Sequence, residues 1–409
     1  MAATPATTVH TTRWGILATG WMASVFTKDL LGDPAVRGVT DVRHEVVAVA
    51  SSTSAARAQK FIDDHGATAT ATAYGSYEDL VNDPRVDVVY VATPHSHHYQ
   101  NAMLALTAGK PVLVEKAFTT NAAQARKLVE MARAKNLFLM EALWTRYFPL
   151  ADEVRRTVAA GTIGAVQRVT ADSSFGENAE EKWGTENRII NLDLAGGALL
   201  DLGVYALAWV FQILYHLQPV PRRPPTVASS VIKYPATGAD EQTAVLLTFP
   251  VGPAVASSSE GQGNATQGIA TCGIRAGMDP DRKGTVGAPI RIQGTHGELQ
   301  VFGPTFRPTT YRLVPKLDTL TGKPVGPLTE VKDIEHAIPG PGTENGGHGM
   351  YWEADEVARC LRDGKLQSAT MDWEETIVIM DVMDTVRKQN GIVYPESIET
   401  TNYPVKLPS

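Results

Sequence analysis

Asp201 and Tyr205 stand four residues apart in the run Ala195-Gly196-Gly197-Ala198-Leu199-Leu200-Asp201-Leu202-Gly203-Val204-Tyr205, and Trp209 and Phe211 extend it as a buried helix. At helical spacing the carboxylate and the phenol share one face and point into one cleft. A phenol with a pKa of about 10 is a poor base at neutral pH unless a cation favours its phenolate. Lys116 offers that cation. It closes the apolar run Val112-Leu113-Val114-Glu115-Lys116, which is too short and too β-branched for a helix and reads as a buried strand. Ligands of open parallel sheets bind just beyond the carboxyl ends of the strands, so Lys116 is expected at the mouth of a cleft. Together the three groups suit proton transfer at a carbinol or carbonyl oxygen, with Lys116 lowering the Tyr205 pKa and Asp201 orienting its partners. Singly, each has a plainer account: a strand-end lysine paired with Glu115, an aspartate capping a helix, a tyrosine in a core.

Such groups need a sheet and helices to hold them. Trp14-Gly15-Ile16-Leu17 begins a strand, and Ala18-Thr19-Gly20-Trp21-Met22-Ala23 follows as a dinucleotide turn with Ala18 and Ala23 replacing two glycines. Gly20 is retained where a missing side chain lets the backbone approach a pyrophosphate. Ala23, Phe26 and Leu30 recur at helical spacing, so a helix N-terminus is expected to face that phosphate. Cofactor contacts are therefore assigned to Gly15, Ala18, Thr19, Gly20, Trp21 and Met22. A second strand, Glu45 to Ala50, ends in Ser51-Ser52-Thr53 without the acid that holds a ribose 2′-hydroxyl. Small hydroxyls there, with Arg57 a helical turn later, suit a 2′-phosphate and favour NADP over NAD. A solvated helix face is the other account of Arg57.

Thr93-Pro94-His95-Ser96-His97-His98 follows the apolar run Val86 to Ala92. Spacings of two and one do not set three histidines on one helical face, and no cysteine or acidic cluster accompanies them, so no metal is expected. The segment is read as a loop lining the nicotinamide and a sugar, with His95 and His98 as polar contacts beside Thr93, Pro94, Glu115 and Lys116. A helix from Tyr99 to Ala108 follows, and Thr119-Thr120-Asn121 caps another from Ala122 to Lys135. After Phe138 to Glu141 come Trp144, Arg146 and Tyr147. Trp144 and Arg146 can stack on and hydrogen-bond a sugar; domain-interface core explains Trp144 equally well. Alternating strands and helices to this point imply a doubly wound parallel sheet.

From Gly164 the pattern alternates over Val166–Asp172, Val227–Tyr234, Thr243–Phe249, Ile290–Gly294 and Glu298–Phe302, implying an open, mainly antiparallel sheet. Residues 237–283 and the Pro- and Gly-rich stretch 303–349 are read as long loops. Two apolar stripes, Ala354-Val357-Ala358-Leu361 and Ile377-Met380-Met383-Val386, read as late helices ended by Gly364 and Gly391. At 409 residues the chain is too long for one ordinary core. The expected division is a flexible N-terminus over 1–12, a dinucleotide-binding Rossmann domain over 13–145, and a substrate and dimerisation α+β domain over 146–409. The late helices, 352–390, are expected to pack partly back on the first domain. A net charge of −7 without a basic stripe argues against nucleic acid. No apolar run long enough to cross a bilayer is read, and two distant cysteines, Cys272 and Cys360, imply no disulfide framework. The Ala/Thr-rich N-terminus lacks the apolar core of a signal peptide, so a cytoplasmic location is expected.

The segments GILATGWMA (Gly15 to Ala23), TPHSHHY, EKAFTTNAAQA, MEALWTRYFP, AGGALLDLGVY and GHGMYWEADEVARCLRDGKLQS in combination resemble the glucose–fructose oxidoreductase and inositol dehydrogenase superfamily. More narrowly they resemble its branch of dimeric dihydrodiol dehydrogenases and fungal NADP-dependent D-xylose 1-dehydrogenases. The resemblance runs from about Arg13 to Pro395, interrupted in the loops. It implies a Rossmann domain, a C-terminal domain whose open sheet makes a homodimer, and NADP. It places the catalytic lysine on Lys116, the aspartate on Asp201 and the tyrosine on Tyr205, and substrate contacts on His95, Trp144 and Arg146. Ser52 stands where relatives often carry an arginine for the 2′-phosphate, and Leu192 replaces a common proline. The activity so implied is oxidation of the anomeric carbon of an aldopyranose such as D-xylose. Alternatives are oxidation of a trans-dihydrodiol or reduction of a dicarbonyl or ketosugar in the same cleft. From another class, a non-catalytic sugar or dinucleotide sensor has no need of Lys116, Asp201 and Tyr205 together.

Overall fold

Buried Val, Ile and Leu runs bounded by capped helices build the first half of the protein. The computed structural model describes residues 9–67, 70–250, 265–340 and 347–407. In chain order come β1 (His10–Leu17), α1 (Trp21–Leu30), β2 (Val42–Ala50), α2 (Ala55–His65), β3 (Thr72–Tyr74), α3 (Tyr77–Val81), β4 (Val88–Val91), α4 (His95–Thr107), β5 (Val112–Glu115), α5 (Ala122–Lys135) and β6 (Leu139–Ala142). The six strands form one all-parallel sheet in the order β3-β2-β1-β4-β5-β6. Strand order reverses between β1 and β4, the position at which doubly wound sheets bind ligands. Asn121 caps α5 through its side chain to the Gln124 amide, and Ser54 caps α2 through the Arg57 amide, so both helix starts are locally encoded. β1 begins at His10, so part of the stretch read as a flexible N-terminus is strand; residues 1–8 lie outside the described residues.

The second half continues with α6 (Pro149–Ala159), β7 (Val166–Ser174), α7 (Ala179–Lys182), α8 (Val204–Leu214), β8 (Thr226–Lys233), β9 (Asp240–Pro250), β10 (Ala265–Gly273), β11 (Ile290–Gly294), β12 (Gly297–Val301), β13 (Thr310–Pro315), β14 (Lys332–Glu335), α9 (Tyr351–Arg362), α10 (Trp373–Asn390) and α11 (Glu396–Glu399). Eight strands form a second sheet, β14-β13-β12-β11-β7-β10-β9-β8, antiparallel at every pair except β10 with β7. β10, β13 and β14 lie in stretches read from sequence as loops. β10 is interrupted by Gln267 and Gly268 and β14 is short and charged, so pairing with neighbours holds them in the sheet, while Thr310-Tyr311-Arg312-Leu313-Val314 of β13 alternates within a Pro- and Gly-rich stretch. The rest of those two stretches includes 251–264 and 341–346, outside the described residues.

α9 returns to the first sheet. Asp355, on this helix, makes a buried ion pair with Arg37 at 2.8 Å and accepts from His44 Nε2 at 2.9 Å. α10 lies against α5 and β8. The stretch Leu192–Leu214, with mean hydropathy 1.7, is long and apolar enough by composition to cross a membrane, which corrects the reading that no such run exists. It is 94% buried inside the protein and its helix α8 packs on β7 and β10 of the second sheet, so it is core.

Candidate active site

α1 starts at the carboxyl end of β1 with Gly20 as its cap. No side chain caps this start, no acid lies in the first turn, and a Cβ at Gly20 would meet nothing within 4 Å. The free N–H groups of this ten-residue helix therefore face open space at the switch between β1 and β4, and they fit the pyrophosphate of a dinucleotide. Ala18 holds φ at 95°, the positive region that favours glycine, and its amide bonds the Ala50 carbonyl. Thr19 and Met22 are half-buried, while Trp21 is 68% exposed and meets His348 edge to face. Gly15 has a different role from the one assigned by motif. A Cβ there would come within 2.9 Å of Leu80 and 3.0 Å of Val86, so this glycine admits α3 packing rather than a cofactor. Ser51 is buried and its hydroxyl accepts from the Thr53 amide, whereas Ser52, Thr53 and Arg57 are exposed at the end of β2.

Leu199–Gly203 forms a π-helical turn ahead of α8, not the continuous α-helix expected from the sequence. Such turns widen the helix locally and are frequent at functional sites. Buried Asp240 anchors its start, one carboxyl oxygen accepting from the Leu199 amide at 2.5 Å and the Thr243 hydroxyl at 3.1 Å. Gly197, with φ +136°, admits that carboxyl: a Cβ would stand 1.9 Å from Asp240 Oδ1.

The turn aims Asp201 at Lys116. Lys116 Nζ donates to Asp201 Oδ1 and to the Asp201 carbonyl, both at 2.8 Å. Arg188 Nη1 donates to the same Oδ1 at 3.0 Å. Burial alone would raise the Asp201 pKa, but Lys116 and Arg188 hold it well below the usual carboxylate range. The carboxylate stays ionised.

Lys116 Nζ lies 5.0 Å from the centroid of the Tyr205 ring. Its Oη accepts the Trp144 indole N–H at 2.7 Å. Burial, with Glu115 next in effect, pushes the Tyr205 pKa well above its ordinary value, Trp144 acting the other way. The expectation that Lys116 makes a phenolate is thereby corrected; the phenol is neutral and its proton is free to donate. Phe306 lies 5.8 Å from the Tyr205 ring and 6.1 Å from Trp144, and Phe175 lies 6.5 Å from Phe306, all centroid to centroid. These rings form an aromatic wall beside the lysine.

His95 and His98 are not loop residues. They occupy the first turn of α4, three apart on one buried face, with rings 5.5 Å apart. His95 Nε2 lies 3.2 Å from the Lys116 carbonyl, and burial, then His98, holds its pKa well below the ordinary value, so it is neutral. Both nitrogens of His98 lie 2.8 Å from carbonyl oxygens, those of Ala117 and Thr93. Burial takes its pKa down to about 4. Neutral His98 has one N–H and donates to one of these two carbonyls, and both its nitrogens face backbone oxygens. Pro94 opens α4, and the Thr93 hydroxyl accepts from Asn101. Glu115 accepts from Tyr90 Oη and from the Lys116 amide, fixing the lysine backbone from below.

Arg146 is also corrected. It is 1% exposed; Nη1 stands 2.9 Å from Glu375 Oε1 and Nη2 donates to the Thr370 carbonyl at 2.6 Å. The guanidinium pins the turn after β6 to α10 and has no path to a sugar. Sequence reasoning missed Arg188, Phe175 and Phe306. Arg188 lies in a polar stretch with no motif, and Phe306 in one read as surface loop.

A cation at the end of β5 held by an ionised aspartate of the second half, a neutral phenol beside it and an open helix start at the switch of the parallel sheet fit a nicotinamide-dependent oxidoreductase. Comparison with known proteins carries this further: residues 12–143 match the oxidoreductase family with an NAD-binding Rossmann fold, and residues 151–300 match the GFO/IDH/MocA C-terminal domain. The chain belongs to the GFO/IDH/MocA oxidoreductase family. It is 54% identical over 405 residues to the D-xylose 1-dehydrogenase (NADP(+)) of Hypocrea jecorina, covering 98% of this chain and 97% of that one. It is 34% identical over 387 residues to the trans-1,2-dihydrobenzene-1,2-diol dehydrogenase of Bos taurus, covering 94% of this chain and 98% of that one. In fold it is similar to a levoglucosan dehydrogenase solved with NADH and levoglucosan, with TM-score 0.74, 15% identity and coverage of 93% of this chain and 97% of that one.

Proposed function

We propose that this chain is an NADP-dependent sugar dehydrogenase oxidising the anomeric carbon of an aldopyranose such as D-xylose to the lactone. The observation that carries it is the Lys116–Asp201 pair beside Tyr205, in a chain 54% identical over almost its full length to a D-xylose 1-dehydrogenase. When bound, NADP supplies the hydride acceptor. Lys116 bonds the reacting oxygen and offsets charge that develops on it as the hydroxyl proton leaves. Asp201 uses one carboxyl oxygen to hold the Lys116 Nζ in place. Tyr205, neutral in the free site, hydrogen-bonds the same oxygen and hands over its proton in the reductive direction. In oxidation it must first lose that proton, so kcat/KM for D-xylose is expected to climb with pH from about 7 to about 10 without levelling. A pH–rate profile flat from neutrality upward would remove Tyr205 from the proton path.

Absorbance at 340 nm with NADP or NAD and a panel of D-xylose, D-glucose and a trans-dihydrodiol tests the reading. Rapid reduction of NADP by a pentose or hexose is the expected result; tight binding of NADPH with no turnover would point to a sensor. The exposed Arg57, one turn into α2 beside Ser52, makes the cofactor choice testable. Arg57→Ala is expected to raise KM for NADP by about tenfold or more and to leave that for NAD within about twofold. Equal effects on both would free Arg57 from the 2′-phosphate. A second reading, oxidation of a trans-dihydrodiol, is favoured by the wall of Trp144, Phe306 and Phe175, which suits a flat carbocycle as well as the apolar face of a pyranose. The proposal includes a cytoplasmic location and a homodimer through the open sheet face, where Leu246 and Ile232 are 40% and 57% exposed. Fractionation reads the first; light scattering reads the second, a monomer mass of 44.0 kDa being the contrary result.

A further inference from the structure

We propose that Arg188 is a second substrate-contacting cation and reads the hydroxyl on the carbon next to the one oxidised, so that the site selects vicinal diols. This rests on the dehydrogenase reading above. Asp201 Oδ1 binds Lys116 Nζ at 2.8 Å and Arg188 Nη1 at 3.0 Å, so one carboxylate oxygen holds two cations side by side. They differ in exposure: the Lys116 and Asp201 side chains are 9% and 6% exposed, that of Arg188 42%. The guanidinium therefore bridges the buried floor of the site and its open side. Among the described residues Asp201 is its hydrogen-bond partner, through one N–H of the five a guanidinium carries. The charge also acts on Glu115 of the first sheet and Tyr205 of α8.

A pair of cations set by one anchor matches a pair of oxygens on adjacent carbons. Lys116 takes the reacting oxygen and Arg188 its neighbour, each bond charge-assisted and directional. The same pair explains why one scaffold serves relatives with dissimilar substrates. D-xylose and trans-1,2-dihydrobenzene-1,2-diol, the substrates in the names of the relatives at 54% and 34% identity, share little except a hydroxyl beside the carbinol that is oxidised.

The experiment compares D-xylose with 2-deoxy-D-xylose on wild type, Arg188→Ala and Arg188→Lys, with NADP binding followed separately by fluorescence. Dividing variant by wild type for each sugar removes the intrinsic effect of the 2-hydroxyl on hydride donation. Arg188→Ala is expected to lower kcat/KM for D-xylose by about 10–100-fold and for the deoxy sugar by less than about threefold, with Arg188→Lys partly restoring the difference and NADP affinity unchanged. An equal fall for both sugars, or none, overturns the assignment while leaving the sugar dehydrogenase standing. Wild type inactive on D-xylose overturns the underlying reading by itself, and a trans-1,2-diol against its matching mono-alcohol then carries the same comparison.

Discussion

Lys116→Ala is expected to lower kcat for sugar oxidation by at least about a thousandfold while NADP affinity stays within about threefold. The ammonium is the group the site holds most firmly, bonded at 2.8 Å to the carboxylate and the carbonyl of Asp201, with its own backbone fixed by Glu115. Removing it takes away the cation that offsets charge on the reacting oxygen: His95 is held neutral, and Arg188, bonded to the same Asp201 Oδ1, is assigned to the neighbouring oxygen of the substrate. The anion-binding turn at Gly20 lies on α1 and is untouched, so binding and turnover should separate. Asp201 keeps Arg188 as a counter-ion, which preserves the fold well enough for the measurement. Circular dichroism checks that, and Lys116→Cys alkylated with bromoethylamine should recover activity. A Lys116→Ala protein with kcat within tenfold of wild type would exclude Lys116 from the chemistry.

Arg146→Met is expected to destabilise the protein by about 3–5 kcal/mol, because it leaves Glu375 buried beside weaker partners. Glu375 is fully buried, and its remaining partners, the His216 imidazole at 2.9 Å and the Arg222 guanidinium at 3.8 Å, both reach its other oxygen. The Thr370 carbonyl also loses its 2.6 Å bond, so the segment leading into α10 comes away from the turn after β6. Chemical denaturation measures the loss, and the paired variant Arg146→Met with Glu375→Met should regain much of it by replacing a broken ion pair with apolar packing. KM for the sugar in the surviving folded protein is expected to stay near wild type. A stable Arg146→Met protein with a strongly raised sugar KM would return Arg146 to the cleft and overturn the structural role.

Local signals on the page were enough for much of this protein. Apolar β-branched runs and Asn121 as a cap mark the first half, and Gly364 and Gly391 mark the ends of the late helices, because each is a short-range interaction a few residues can satisfy alone. Gly20 marks the nucleotide turn for the same reason, and Lys116 its place at a strand end. Where a residue's partner lies far along the chain, its type and spacing say less. Arg146 and Arg188 are both arginines in unremarkable company. The first is consumed by Glu375, 229 residues on, and the second faces the cleft on Asp201. Gly15 fits a cofactor motif yet serves Leu80 and Val86. β10 and β14 lack strong propensity and exist through pairing. The side chains of the site were thus set by sequence, as residue types on elements whose formation is local. Which of them meet, which are neutral and which are walled off were decided by the tertiary structure, because burial and long-range ion pairs set charge and access, and neither is a property of neighbouring residues.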